Sequence, residues 1–270
     1  MAANVWPRWG RRTYLMGVVN ATPDSFSGDG LLGSPEGIET RIAELVARGA
    51  DIIDVGGEST RPGFTQVPAA MEIDRVLPFI GAITAPSRVP VSIDTTKAVV
   101  ARQAIAAGAT IVNDISGLSD PDMAWTVAAQ QSGLAIVHNH PIDAGQDLVA
   151  GMLRHLDMRV NIALKAGVPQ SHIVIDPGLG MGKDWRANLK IVQRLAEFRA
   201  LGLPLLVGPS RKGTIGKVLG VGVDDRVEGT ASLVAVCIAH GADIVRVHDV
   251  QEMARVARMT DALVAGKLSK

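Results

Sequence analysis

The stretch Ala47-Arg-Gly-Ala-Asp-Ile-Ile-Asp-Val-Gly56 contains the pattern that decides the fold. A helical segment ends at Gly49, a short apolar run follows, and a polar residue, Asp54, lies near the end of that run. Glycine after a helix supplies the left-handed conformation that ends it. Short, nearly uninterrupted apolar runs are typical of parallel strands that are buried on both faces. Residues 107–114 and 240–248 repeat this order, so the repeating unit is a helix followed by a buried strand.

Eight such units follow one another along the chain. The candidate strands are 14–20, 51–56, 89–94, 110–113, 134–138, 172–176, 204–208 and 243–248, and helical patterns lie near 35–48, 68–83, 96–107, 121–132, 147–166, 186–201, 224–240 and 250–265. Strict alternation of eight strands and helices predicts an α/β fold, a single (β/α)8 TIM barrel with its active site at the C-terminal ends of the strands. The alternative is an open doubly wound sheet. That fold would carry a Gly-rich turn after its first strand, where this chain has Asn20-Ala-Thr-Pro-Asp-Ser-Phe-Ser27.

Length and composition suit one such domain. The chain has 270 residues, of which 47% are hydrophobic, and a barrel of this kind commonly takes about 250 residues. We expect a single domain over residues 1–270, with residues 1–12 as an N-terminal extension that lacks the apolar segment of a secretory signal.

Charge and cysteine content bear on partners and location. The 27 basic and 27 acidic residues cancel, which gives no electrostatic reason to expect a nucleic acid or an anionic membrane as partner. No window approaches the roughly 18 apolar residues of a membrane span. The one cysteine, Cys237, lies in a helical pattern where core packing explains it, and a lone thiol fits a reducing compartment. We therefore expect a cytoplasmic protein.

Polar residues close the predicted strands. The C-terminal ends of barrel strands meet at one rim, where the chemistry of such folds is found. The residues at these ends are Asn20, Asp54 with Thr60 and Arg61 beyond it, Asp94, Asn113, His138, Asp176, Ser210 with Lys212, and Arg246 with His248. A lone aspartate at a strand end is often a helix cap, and Asp94 precedes a helical pattern, so capping is an alternative there. Eight ends that converge on one rim nevertheless predict a pocket.

The residue types at this rim indicate two kinds of ligand group. One set mixes donors with acceptors, as needed at the edge of a fused heterocycle, where a carboxylate can accept two parallel N–H bonds: Asp94, Asn113, Asp176 and Lys212. The other set is cationic or can become so, and suits an anion such as pyrophosphate: Arg61, Arg246 and His248. Asn20 and the loop after it offer oxygens to a Mg²⁺ that accompanies the anion.

Seven segments, in order and between about residues 14 and 250, resemble motifs of the dihydropteroate synthase family. They are residues 16–27 (MGVVNATPDSFS), 54–63 (DVGGESTRPG), 91–95 (VSIDT), 112–117 (VNDISG), 175–183 (IDPGLGMGK), 208–212 (GPSRK) and 246–249 (RVHD). The resemblance implies a transferase of folate biosynthesis. Such an enzyme condenses 6-hydroxymethyl-7,8-dihydropterin pyrophosphate with p-aminobenzoate to 7,8-dihydropteroate and pyrophosphate, through a dissociative, cation-like substitution.

The resemblance also implies residue roles. The pterin site would contain Asp94, Asn113, Ile115, Asp176 and Lys212. The pyrophosphate site would contain Asn20, Arg61, Arg246 and His248, with Asn20 also a ligand of Mg²⁺. The p-aminobenzoate site would be bordered by Thr60, Arg61, Pro62, Met181, Ser210 and Lys212. The catalytic residues would be Asp94, Asp176, Lys212, Arg246 and His248. The resemblance further implies a homodimer whose interface is built from barrel helices. Residues 231–239 could provide such an interface, although an interior helix explains them equally well.

Three departures from the family pattern bear on affinity for substrates or sulfonamides. The usual Met-His-Met at the end of strand five is replaced within Val137-His-Asn-His-Pro141, and we expect Asn139 and His140 near the pterin ring. Met181 replaces a phenylalanine near p-aminobenzoate. In the first loop, Ser27-Gly-Asp-Gly30 shifts the acidic residue by one position.

Three other functions are alternatives to the synthase. His138 and His140 have the spacing of some metal hydrolases, whose barrels need further histidines at strand ends. A pterin-binding methyltransferase would share the barrel but would have no pyrophosphate to bind. The segments 208–212 and 246–248 therefore argue against this function. A pterin-binding paralogue without synthase activity is the third alternative. Residues 178–183 resemble a phosphate loop, but their spacing fails the Walker pattern.

Overall fold

Eight strands alternate with helices in this computed structural model, which describes residues 5–21, 35–58, 67–84, 89–142 and 145–265. The strands are β1 (Tyr14–Asn20), β2 (Ile52–Gly56), β3 (Val91–Asp94), β4 (Ile111–Asp114), β5 (Gly133–Val137), β6 (Ile173–Asp176), β7 (Leu206–Val207) and β8 (Ile244–Val247). The α-helices are α1 (Pro35–Ala47), α2 (Ala69–Thr84), α3 (Ala98–Ala106), α4 (Met123–Gln130), α5 (Leu148–Lys165), α6 (Trp185–Gln193), α7 (Gly213–Leu219), α8 (Val227–Ala239) and α9 (Val250–Ala265). Short 3₁₀ helices span Gln170–His172 and Leu195–Leu201.

The strands form one parallel sheet in the order β6-β5-β4-β3-β2-β1-β8-β7. A single β-bridge between Ile175 and Leu205 joins β6 to the segment before β7 and so brings the two edges of the sheet together. This confirms the predicted parallel (β/α)8 barrel.

Side chains alternate between the barrel axis and the surrounding helices, because successive residues of a strand point to opposite faces. One buried cluster fills the axis near the N-terminal ends of the strands: Trp6, Tyr14, Met16, Ile52, Ile111, Ala135, Val174, Leu206 and Ile244. Their sequence neighbours, such as Leu15, Ile53 and Leu134, belong to a second cluster shared with the helices. Two residues further along β2, β4, β6 and β8, the same alternation points the polar side chains of Asp54, Asn113, Asp176 and Arg246 at the axis.

The segment before β1 closes the N-terminal end of the barrel. Trp6 is buried within the inner cluster, and its Nε1 donates a hydrogen bond to the carbonyl oxygen of His172 at 2.8 Å. Gly133 makes room for this ring, because a Cβ at that position would lie 2.9 Å from it. The part of the N-terminal extension that the structure describes is therefore structural.

The differences from the predicted elements are local. The helix predicted near 186–201 is divided into α6 and a 3₁₀ helix, and the strand predicted at 204–208 contains only two strand residues. Helix α7 was not predicted, because it is two turns long and contains Gly213 and Gly216, which lower helix propensity. Cys237 is buried in α8, as expected. No helix in the described ranges has the length and apolarity to cross a bilayer.

We expect Trp6→Ala to lower the free energy of unfolding by about 3–5 kcal/mol, because it removes a buried indole from a packed barrel end. Urea unfolding at neutral pH measures this change. The matched control is Trp125→Ala, since Trp125 is 62% exposed and a surface truncation changes stability by about 0.5 kcal/mol or less. Equal effects of the two substitutions on the free energy of unfolding would contradict the structural role of Trp6 at the closed end of the barrel.

Candidate active site

The alternation along the strands brings most of the predicted site residues to one rim. Eight of them occupy inward-facing positions at the C-terminal ends of their strands, or continue the same alternation just beyond those ends. These are Asn20, Asp94, Asn113, Ile115, Asp176, Ser210, Arg246 and His248. Lys212 precedes α7, and its aliphatic chain passes close to Gly180, where a Cβ would lie 3.1 Å from Cδ. Thr60, Arg61, Pro62 and the segment 27–30 lie outside the described residues.

Arg246 is the centre of the hydrogen-bonded network at this rim. Its Nε donates to Oδ2 of Asp54 at 2.6 Å, and its Nη2 donates to Oδ2 of Asp94 at 2.6 Å. The same Oδ2 of Asp54 also accepts from Nδ2 of Asn113 at 3.2 Å. Asp54 was noted at a strand end but was given no role in the sequence-based interpretation. Its inward phase on β2, two residues before Gly56, is the signal that indicates its place.

Burial shifts the pKa values of the rim carboxyl groups upward. The pKa of Asp94 is raised to about 7, chiefly by desolvation; Arg246 opposes this shift and the Asp54 carboxylate adds to it. The pKa of Asp176 is raised to about 6, again by desolvation, while the hydrogen bond from the Gly178 N–H lowers it. Desolvation and the nearby Arg246 lower the pKa of Lys212. Asp94 and Asp176 therefore titrate close to neutrality, where a carboxyl group can either donate or accept at a heterocycle edge.

The loop after β6 is held in place by backbone contacts. Asp176 accepts the Gly178 N–H at 2.7 Å, and Gly178 has a φ of 68°. A Cβ there would lie 2.2 Å from the carbonyl oxygen of His138, so only glycine fits. The Nζ of Lys183 donates to the carbonyl oxygens of His138, Gly178 and Met181 at 2.9–3.1 Å. Lys183, which received no role from the sequence, ties this loop to the end of β5.

His248 and Ser210 form the other side of the rim. The backbone N–H of His248 donates to Oγ of Ser210 at 3.2 Å, and Oγ lies 3.0 Å from Nδ1 of the same histidine. Oγ can accept the backbone N–H and still donate its own proton to Nδ1, and in that tautomer Nε2–H is left as a donor. Desolvation and Arg246 lower the pKa of His248 to about 4. Without a bound anion, the His248 ring is therefore neutral near pH 7.

Glu58 joins the two ends of the segment that contains Thr60 and Arg61. Its Oε2 accepts from the Val67 backbone N–H at 2.7 Å and from Nζ of Lys97 at 2.8 Å. Lys97 also donates to the buried Glu72 at 2.6 Å. The chain on both sides of residues 59–66 is thus anchored to α2 and to the turn before α3.

The expectation that His140 lies near the pterin ring is wrong, because the alternation along β5 points His138 and His140 away from the barrel axis. His138 contacts His155 of α5 edge to face, with ring centroids 5.0 Å apart. His140 stacks on His155 at 4.5 Å. Only Asn139 has the inward phase, and it is exposed at the rim. Arg159 donates to Nε2 of His155, and Lys183 lies close enough to lower the pKa of His138, so this group of rings is unfavourable for a metal cation.

Metal binding at the rim depends on oxygen groups. Within the described ranges, no three or more His, Cys, Asp or Glu side chains are grouped so as to hold a metal ion. Mg²⁺ that binds with a phosphate needs only one or two protein ligands and keeps several waters. Asn20, exposed at the end of β1, offers an amide oxygen of that kind.

Comparisons with known proteins agree over nearly the whole chain. A family model described as "Pterin binding enzyme" matches residues 16–248. A dihydropteroate synthase of Clostridium beijerinckii is 46% identical over 257 residues, which are 94% of this chain and 96% of that protein. The dihydropteroate synthase of Clostridium difficile, solved in the presence of pteroic acid, has a TM-score of 0.90 at 42% identity and covers 96% of this chain and 99% of its own. That of Xanthomonas albilineans with 4-aminobenzoic acid has a TM-score of 0.86 at 38% identity, over 93% of each chain.

We expect His138→Phe to make the protein less sensitive to acid. Desolvation and the nearby Lys183 lower the pKa of the buried His138 from 6.5 to about 3. At a pH between these two pKa values, the imidazole is protonated in the unfolded chain and neutral in the folded one. The free energy of unfolding therefore decreases as the pH falls below 6.5. The substitution should reduce the loss of unfolding free energy between pH 6.5 and 5 by about 2 kcal/mol, because one pH unit corresponds to about 1.4 kcal/mol.

Urea unfolding at the two pH values measures this difference. The control is His140→Phe, whose side chain is exposed to water and which should leave the slope as in the wild type. A His138→Phe variant with the wild-type slope would show that the buried ring takes no part in the acid response.

Proposed function

The chain belongs to the dihydropteroate synthase family of pterin-binding enzymes, and on that premise we propose how its residues share the reaction. It is a transferase of folate biosynthesis that joins 6-hydroxymethyl-7,8-dihydropterin pyrophosphate to p-aminobenzoate. The observation that carries the residue assignment is the convergence of buried Asp94, Asn113 and Asp176 on the rim that also holds Arg246 and His248. The whole chain acts as one pterin-binding domain in this proposal.

The pterin ring binds at the floor of the rim. Asp94 and Asp176 accept N–H groups of the heterocycle edge, Lys212 donates to a ring acceptor, and Ile115 packs against the ring. The support is that these carboxyl groups are buried and titrate near neutrality, which matches a polar but uncharged heterocycle better than it matches a metal or a strong anion.

The pyrophosphate leaves on the side of Arg246 and His248. The bond between the pterin methylene carbon and the pyrophosphate oxygen breaks first, with its electron pair on oxygen. The aniline nitrogen of p-aminobenzoate then attacks the methylene and loses its extra proton to water. Arg246 supplies a fixed positive charge and His248 a neutral Nε2–H donor to the departing oxygens, and such preorganised groups stabilise charge as it develops. No described side chain at this rim needs to act as a nucleophile.

Mg²⁺ fits this leaving group. Asn20 would hold the ion through its amide oxygen at the end of β1, the strand that pairs with β8 and hence with Arg246. When bound, Mg²⁺ neutralises part of the pyrophosphate charge. Arg61 would add a second cation from the segment that Glu58 anchors.

The p-aminobenzoate end is assigned with fewer contacts. Ser210 is buried and bonded to His248, so we propose that it orients the histidine as well as bordering the substrate. Met181, half-buried in the loop after β6, and the aliphatic chain of Lys212 would pack against the aniline ring, together with Thr60, Arg61 and Pro62.

A homodimer and a cytoplasmic location complete the proposal. Large exposed apolar side chains occur on three successive helices, α7 to α9: Val218, Leu219, Val236, Met259, Leu263 and Val264. Apolar surface of this kind often marks an interface. The buried single thiol of Cys237 supports a reducing compartment.

We expect p-aminobenzoate to raise the rate at which the wild type releases pyrophosphate from the pterin pyrophosphate, as measured by a coupled pyrophosphate assay. Asp176→Asn should weaken pterin binding about 10- to 100-fold, the range of a hydrogen bond to a charged group. Arg246→Lys keeps a cation but loses the fork of donors, and should chiefly weaken pyrophosphate binding. Tight pterin binding by the wild type without turnover would instead identify a binding paralogue. Loss of pyrophosphate affinity alone in both variants would refute the division of the site.

We expect Leu263→Glu to convert the protein to a monomer, because it places a charge on the exposed face of α9, where Leu263 is 73% exposed. Light scattering coupled to gel filtration measures the mass. Trp125→Glu on α4 is the control and should leave the mass unchanged. A monomeric wild type, or dissociation by Trp125→Glu alone, would contradict this location of the interface.

A further inference from the structure

Asp54 lies beneath the proposed substrate site and links its two ends. It is fully buried on β2 and faces the barrel axis between β1 and β3. Its Oδ2 accepts from Nε of Arg246 and from Nδ2 of Asn113 at the same time. One residue therefore contacts both a residue of the proposed pyrophosphate site and a residue of the proposed pterin site. Its other oxygen, Oδ1, is buried and has no hydrogen-bond partner among the described residues.

We propose that Asp54 is a positioning residue that sets the orientation of the Asn113 amide and of the Arg246 guanidinium. This inference rests on the proposed function and adds to it a residue that acts only through two others. It predicts which groups of Asn113 and Arg246 are presented to the substrate.

Asp54 fixes the polarity of the Asn113 amide. Oδ2 of Asp54 accepts from Nε–H of Arg246, so the group of Asn113 that faces the same oxygen is its NH₂ group. The opposite atom, Oδ1 of Asn113, is buried, and no hydrogen-bond partner for it occurs within the described part of the chain. A buried acceptor without a partner is costly. A pterin edge, with its N–H donors, would satisfy it. Asp54 thus makes Asn113 present an acceptor to the ring.

Asp54 also helps to fix the plane of the Arg246 guanidinium. Arg246 has five N–H groups in a fixed fork. Asp54 takes Nε–H, and Asp94 takes one N–H of Nη2. Two carboxylates on two different strands fix the plane of the fork, and the remaining donors are left for an anion. Loss of the bond to Nε would let the plane rotate about the bond to Asp94.

The charge of Asp54 also acts on Asp94. The groups that face Asp94 are Arg246 on β8, Asp54 on β2, Glu72 on α2 and Lys212 after β7; the two carboxylates raise its pKa, and the two cations lower it. Removal of the Asp54 charge therefore lowers the pKa of Asp94. A rate that depends on the ionised form of Asp94 would then keep its value to lower pH.

The test uses Asp54→Asn and a reciprocal double variant, Asp54→Asn with Asn113→Asp. In the single variant, the two facing amides no longer fix which atom Asn113 presents. In the double variant, the amide at 54 can donate to the carboxylate at 113, whose second oxygen is again an acceptor toward the ring. An NH₂ group in the place of Oδ2 cannot also accept from Nε of Arg246, so this variant restores the contact with residue 113 and not the contact with Arg246. The net charge of the pair is also restored. Ser92→Ala is the control, because Ser92 is buried next to Asp54 in the register of β2 and β3 but has no bond to Arg246 or Asn113 among the described contacts.

Binding of the pterin pyrophosphate is measured by calorimetry, and kcat and KM for both substrates by pyrophosphate release. We expect Asp54→Asn to weaken pterin binding about 10- to 100-fold, as for a lost hydrogen bond to a charged group. Its KM for p-aminobenzoate should change less than about threefold, and the acid limb of its pH–rate profile should move to lower pH. The double variant should regain at least about fivefold of the lost affinity, and Ser92→Ala should bind within about threefold of the wild type. A tenfold change in affinity corresponds to 1.4 kcal/mol of binding free energy.

Three results would overturn the inference. One is an Asp54→Asn enzyme with wild-type binding, KM and pH profile. The second is an equal loss of affinity for both substrates. The third is a double variant that is no better than the single one. Should Asp54→Asn not fold, the double variant alone decides, because it keeps the charge of the pair: strong pterin binding supports the inference and its absence refutes it. Lack of synthase activity in the wild type would refute the proposed function instead, and calorimetry of pterin binding would still test Asp54.

Discussion

The alternation of side chains along eight parallel strands is the constraint on which the rest of this structure depends. Near the N-terminal ends of the strands, inward positions are apolar and Trp6 seals the axis. Two residues further along, the same phase points Asp54, Asn113 and Arg246 at one another. A shift of one residue in any strand would exchange its inward and outward sets and place carboxylates against the helices. The packed floor therefore fixes the phase of the polar groups above it.

Burial of several carboxyl groups at one rim is stable only because cations are buried with them. An isolated buried charge is far more costly than a paired one. Arg246 is shared by Asp54 and Asp94, while Lys212 lies near Asp94 and Asp176. The pKa values of Asp94 and Asp176 nevertheless remain near neutrality, so this pairing offsets the desolvation only in part. A bound pterin, which supplies several N–H donors, would complete the hydrogen bonding that the protein leaves open at Oδ1 of Asn113.

Local pattern and ordered motifs predicted the barrel and most of the rim. The sequence could not show that Arg246 bonds to Asp54, because the two residues are 192 positions apart and meet only when β8 closes against β1. Trp6 was placed in a mere extension for the same reason: its partners Gly133 and His172 lie more than 100 residues further along the chain. His140 was misplaced because the family pattern was applied without the alternation along β5, which directs it to His155 instead. Lys183 was overlooked because it bonds to backbone oxygens, which no residue pattern reveals.

The departures from the family pattern that fall in the described residues affect the edge of the site and leave its floor unchanged. His140 is directed outward and stacks on a helix, so it leaves the pterin network untouched. Met181 is fixed through its backbone by Lys183, which lets its side chain vary without moving Asp176. Both changes therefore leave the groups that hold the pterin and stabilise the departing charge in place. A dissociative substitution depends on such positioned charges more than on any activated nucleophile, so the reaction can be retained while the surface that meets the second substrate changes.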